Sequence, residues 1–113
     1  APVLENYLYF SYPRTTSQYQ EMADAYKAKF GVDPETPSVA TAYDALKIIV
    51  EGLRQTNGEG GEKLQKVVAQ IKDYKGVSLE NISFDEIGFA VTPPDAYEMR
   101  TVRDGKFVTV GNY

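Results

Sequence analysis

Apolar positions along the 113 residues change their period several times, and each period predicts an element. Over residues 3–10 the pattern alternates, with Leu4, Leu8 and Phe10 on one side and Tyr7 and Tyr9 on the other, the two-residue repeat of a strand. Ser11-Tyr12-Pro13-Arg14 ends it, because Pro13 has no N–H to give to a ladder. The period then lengthens. Over residues 17–30, Tyr19, Met22, Ala23, Tyr26 and Phe30 recur three or four apart and predict a helix. Ser17 with Gln20 has the form of a capping box, Glu21 suits the positive helix start, and Gly31 stands at the C-cap.

A second helix is predicted from Thr36, its cap, and Pro37, in its first turn, to Asn57-Gly58. Val39, Tyr43, Leu46, Val50 and Leu53 form its apolar stripe, which Ala42 and Ile49 widen, as expected for burial against a sheet and a neighbouring helix. A third helix over residues 62–74 carries Leu64, Val67, Val68 and Ile71 on one face and stops at Gly76. The remainder is β-rich. Ser83-Phe84 and Phe89-Ala90-Val91 flank a turn at Asp85-Glu86-Ile87-Gly88, and strands over 96–102 and 106–110 flank Asp104-Gly105, a two-residue hairpin signal. Three amphipathic helices with so few strands imply that much of the apolar surface is meant for polypeptide outside this segment. Exposed patches of that kind mark association surfaces, so the isolated chain is expected to dimerise, swap elements or pair with an N-terminal fragment.

Length allows one domain at most. The net charge of −4 argues against a nucleic-acid footprint, which needs clustered Lys and Arg. With no Cys, a disulfide, a thiolate nucleophile and a zinc–cysteine site are excluded; with no His, the commonest general base and transition-metal ligand are missing. No cofactor is expected. No apolar run approaches the ~20 residues that span a bilayer, and the first ten residues lack the basic start and apolar run of a signal peptide. That segment is expected to have been removed, or the chain to begin partway through a longer one.

The acidic pair Asp85-Glu86 poses the sharpest question about chemistry. Neighbours in an extended segment point to opposite faces, a poor arrangement for acid and base attack on one bond, and the spacing of oxygens does not suit an EF-hand. Asp85 and Gly88 are therefore read as turn residues. Asp44, near the start of the second helix, is read as structural, a carboxylate able to take hydrogen bonds from loops above it. Gly58-Glu59-Gly60-Gly61 lacks the lysine and preceding strand of a phosphate cradle, and Arg14 is read as a solvated cation. Of the nine tyrosines most are read as core or edge residues. Tyr12 is read equally as an edge residue or a ligand contact, because it follows a strand end, where α/β sheets bind ligands.

In order and spacing, AYKAKFG (residues 25–31), TAYDALKIIVEGL (41–53), ISFDEIGF (82–89) and DGKFV (104–108) resemble the C-terminal third of type I periplasmic solute-binding proteins, and among them the branched-chain amino acid (Leu/Ile/Val) family of ABC importers. The resemblance implies an α/β fold, two lobes joined by three crossings that close over a solute. Residues 1–10 would end a second-lobe strand, 11–14 would be a hinge crossing, 15–91 the first-lobe helices and turn, 92–95 a second crossing, and 96–113 a second-lobe hairpin. It further implies a non-enzymatic, exported, periplasmic protein whose partners are a small organic solute and membrane permease subunits. Most ligand contacts of the family come from segments outside this chain. Ser11 and Tyr12, at the crossing, are the residues expected to reach the solute, and no catalytic or metal-binding residue is implied. A sensory ectodomain of the same fold is the alternative.

Overall fold

The computed structural model of the chain describes residues 2–11 and 16–112. Its contacts fall into two compact units, Ala1–Pro13 with Pro93–Tyr113, and Arg14–Thr92. The backbone thus passes from one unit to the other twice, where length alone suggested one domain.

The first unit is a three-stranded antiparallel sheet in the order β1 (Tyr9–Ser11), β2 (Glu98–Arg103), β3 (Lys106–Asn112). The β2–β3 hairpin closes as its Asp-Gly pair predicts. Asp104 and Gly105 both take positive φ, 52° and 71°, the twist that lets a two-residue turn match its strands. The first strand is shorter than alternation predicted. Pro2–Leu4 form a 3₁₀ turn, Tyr7 N–H donates to the Leu4 carbonyl, and Asn6 reverses the chain at φ 63° while its own N–H donates to Val102. Asn tolerates that left-handed conformation, and the alternating pattern carries no sign of it. Pairing begins only at Tyr9 and extends through Ser11, which lies opposite Glu98. At the other crossing Pro94–Ala96 form a single 3₁₀ turn, so β2 starts two residues later than expected.

The second unit holds α1 (Tyr19–Phe30), α2 (Pro37–Gln55) and α3 (Gly61–Ala69), followed by an irregular segment. Among its described residues there is no strand, only isolated antiparallel bridges, Tyr74 to Ile82 and Phe84 to Ala90. α1 begins at Tyr19 rather than residue 17. The capping box does not form: the Ser17 N–H is taken by Glu80 Oε1 at 3.0 Å, and Gln20 turns to Asp24. Gly31 closes α1 in the left-handed region, φ 79°, with its N–H on the Lys27 carbonyl. Pro37 opens α2 as predicted, but the Thr36 side chain makes no capping bond. α3 stops at Ala69 instead of residue 74, because Tyr74 is drawn into reciprocal backbone bonds with Ile82, 2.9 and 2.8 Å. Periodicity cannot register so distant a partner.

The core gathers Met22, Ala40 and Val77, with Tyr19, Tyr26 and Val39 packed against them. The face that α2 buries is not its predicted stripe. Ala40, Asp44, Ile48 and Gly52 are buried at four-residue spacing. At 3.6 residues per turn, the row Ala42, Leu46, Ile49 and Leu53 lies on nearly the opposite side. Leu46 is 62% and Ile49 45% exposed. Gly52 marks where α3 crosses: a Cβ there would stand 2.6 Å from Leu64 Cδ1. Ile48 thus faces its own unit with small and polar residues on either side, Val50 and Leu53 are half-buried, and Leu46 and Ile49 face water.

Candidate functional site

Ser11 ends β1, half-buried, directly across from Glu98 of β2. Tyr12 and Arg14 lie outside the described residues. The two-residue period of β2 sets Arg100 on the same face as Glu98, and Tyr9 lies opposite Arg100. Arg100 Nε stands 3.3 Å from Glu98 Oε1, with both side chains largely buried, although that N–H finds no aligned hydrogen bond. Beside them Tyr9 meets the Phe107 ring edge-on at 6.0 Å. Ser11, Glu98, Arg100 and Tyr9 therefore share one polar face of the sheet. Neither Glu98 nor Arg100 was singled out from the sequence, although their i, i+2 spacing in a predicted strand was the available signal.

Asp44 has the structural role expected of it. It is 3% exposed, and its carboxylate accepts from Val77 N–H (2.8 Å), Ser78 N–H (2.8 Å) and Ser78 Oγ (2.5 Å). Three donors satisfy the buried charge and tie α2 to the 76–80 segment. Thr16 Oγ1 donates to the Val77 carbonyl at 2.7 Å, fastening the start of the helical unit to the same segment. Asp85 is a turn residue: its Oδ1 accepts from Ile87 and Phe89 N–H, and Gly88 takes φ 91°. Both Asp85 and Glu86 are exposed. No group of three or more His, Cys, Asp or Glu side chains among the described residues is arranged to hold a metal ion. No helix among them is long and apolar enough to cross a membrane.

The helical unit also holds a groove of about 290 Å³ between α1, α2 and residues 74–77, which sequence reasoning missed. Met22 and Val77, both buried, are among its walls, as are Tyr43, Lys47 and Tyr74. Burial first, then the nearby Asp44 carboxylate, holds the Tyr74 phenol above its ordinary pKa of 10.0, so it is a hydrogen-bond donor at neutral pH. The groove is built by residues from three separate segments, which no local motif announces.

No family model matches the chain. Large ribosomal subunit protein bL12 of Mesomycoplasma hyopneumoniae (strain 7448) is 32% identical over 65 residues, 58% of this chain and 54% of that protein, too small a share to assign a family. Likeness to solved structures covers nearly all of the chain. A leucine-binding protein of Thermotoga maritima superposes with a TM-score of 0.78 at 19% identity, over 96% of this chain and 31% of its own. An ABC transporter substrate-binding protein of Desulfitobacterium hafniense in complex with Leu gives 0.77 at 22%, over 96% and 32%. An ABC transporter solute-binding protein of R. palustris in complex with benzoate gives 0.77 at 14%, over 98% and 31%. This chain spans about a third of the length of the structures it matches. Its fold is α/β, three helices and a three-stranded sheet, and corresponds to part of a periplasmic-binding-protein fold.

Proposed function

We propose that the chain is part of an extracytoplasmic solute-binding protein of an ABC importer, binding a branched-chain or other aliphatic amino acid, or a similar small organic solute. The observation that carries this is the superposition of nearly the whole chain on about a third of the length of such proteins. Three further features support it. The backbone passes between two compact units near residues 13–14 and 92–93, as a two-lobed protein with hinge crossings requires. The helical unit lacks a strand among its described residues, although α2 presents an aliphatic row suited to cover a sheet. The two aspartates weighed as site candidates are committed to structure, Asp44 to a loop and Asp85 to a turn, which suits a binder that performs no reaction.

In this reading residues 11–14 and 92–95 are hinge crossings, and Ser11 and Tyr12 contribute to the solute site from the first of them. A solute that bridges the lobes stabilises the closed form by its greater affinity for that form, and the permease recognises the closed form. The test is a calorimetric titration of leucine, valine and small carboxylates into the full product of the encoding gene, with small-angle scattering in parallel. Saturable binding of one of them with a reduced radius of gyration is expected, weakened several-fold by Ser11→Ala. Absence of both binding and compaction with every solute would contradict the reading. A transmembrane or signalling segment in the same gene would replace the importer by a sensory receptor.

A further inference from the structure

We propose that the groove between α1, α2 and residues 74–77 is a second binding site, for a small amphipathic carboxylate. It lies wholly within the helical unit and does not rest on the solute-binding reading. Its volume, about 290 Å³, falls just below the range of drug-sized ligand sites, roughly 300–1,000 Å³, and suits a smaller molecule. Polar and charged side chains predominate in the walls, with Met22, Ala25 and Val77 as the apolar part. Met22 and Val77 supply buried apolar area, and the rings of Tyr43 and Tyr74 supply flat faces.

The polar groups around the groove are mainly donors without an acceptor. Among the described residues the side chains of Gln18, Tyr43 and Tyr74 make no hydrogen bond. The Lys47 ammonium has no carboxylate partner among the described residues and stands 6.0 Å from the centre of the Tyr43 ring. Lys75 adds a second ammonium, held by Asn81. Asp44 also borders the groove, but its oxygens are occupied by Val77 and Ser78. Glu21 and the hydrogen-bonded Asp44 carboxylate are the opposing charges, set against Lys47 and Lys75, and disfavour ligands with two negative charges. A single carboxylate on an aromatic or branched body fits this arrangement: its oxygens meet Lys47 and a tyrosine hydroxyl, and its body lies on Met22.

The chain has only two methionines, Met22 at the groove and Met99 in the sheet unit, which makes their methyl resonances a built-in probe and control. Benzoate is titrated into the ¹³C-methyl-methionine-labelled chain and, separately, into Lys47→Gln and Tyr74→Phe, with benzyl alcohol as the uncharged counterpart. A saturable shift of Met22 with Met99 unmoved is expected. Lys47→Gln weakens binding about tenfold, as loss of one charge-assisted hydrogen bond should, and Tyr74→Phe weakens it less. Benzyl alcohol binds at least about tenfold more weakly than benzoate, for the same reason. The proposal is overturned if Met22 shows no saturable shift, if benzyl alcohol matches benzoate, or if Lys47→Gln, still helical by circular dichroism, binds as the parent does.

Discussion

Asp44 is the residue on which the helical unit turns. Its burial is tolerable only because Val77 and Ser78 aim three donors at it, and Gly76 is what lets the backbone come close enough. A Cβ at Gly76 would meet Asp44 Oδ2 and Ile82 Cδ1, each at 2.6 Å, and the Leu79 carbonyl at 2.9 Å. The backbone carbonyl cannot swing aside, so Gly76→Ala should lower stability by about 3 kcal/mol in urea denaturation. Asp44→Asn keeps the shape but turns an amide toward backbone N–H donors, and about 2 kcal/mol should be lost in the same measurement. A neutral effect of both would mean that the segment is held by something other than this carboxylate. Tyr74 gives a pH prediction. Its folded pKa is raised above the unfolded 10.0 by burial and by Asp44, so the fold disfavours the phenolate. The stability present below about pH 10 should decline as pH rises through the folded pKa, and Tyr74→Phe should remove that part of the alkaline loss.

Element by element, the sequence was legible where backbone chemistry is local. Gly31, Pro37 and Asp104-Gly105 marked a helix end, a helix start and a hairpin, because each residue type meets a dihedral requirement of its own position. It was illegible where a distant partner decides. Tyr74 leaves α3 for Ile82, Ser17 gives its N–H to Glu80, and Asn6 turns back toward Val102. In the candidate site, Ser11 could be placed at a strand end, but the neighbouring Glu98–Arg100 pair depends on strand register, which alternation alone does not fix. The most informative misreading concerns α2. Its stripe was correctly seen as apolar, yet the residues buried within the chain are Ala40, Asp44, Ile48 and Gly52. Burying Leu46 and Ile49 elsewhere would be worth roughly 2 kcal/mol or more, by the usual value of an aliphatic side chain. Since neither supports the chain's own fold, the double variant Leu46→Lys with Ile49→Lys should shift the unfolding free energy of the dilute, dissociated chain by no more than about 0.5 kcal/mol. A large loss would place this row in a core of the chain itself.

For the whole molecule, the imbalance between helices and strands is the feature that ties fold to function. Residues 14–92 carry three helices, no strand among those described, and Leu46 and Ile49 of α2 in water. Ile87, Phe89 and Val91 add exposed apolar side chains on the 85–91 turn. Monomeric proteins rarely leave such surface uncovered. We propose that the exposed face of α2 is shaped to lie on β-structure from polypeptide outside residues 1–113; the matched structures are about three times as long. When that polypeptide is missing, copies of the chain should cover the row for one another. Sedimentation equilibrium of the isolated chain beside its Leu46→Lys, Ile49→Lys variant tests this most directly. The parent should sediment as an associating species and the folded variant as a monomer; a parent that stays monomeric across the concentration range, or a variant that associates just as strongly, would contradict it.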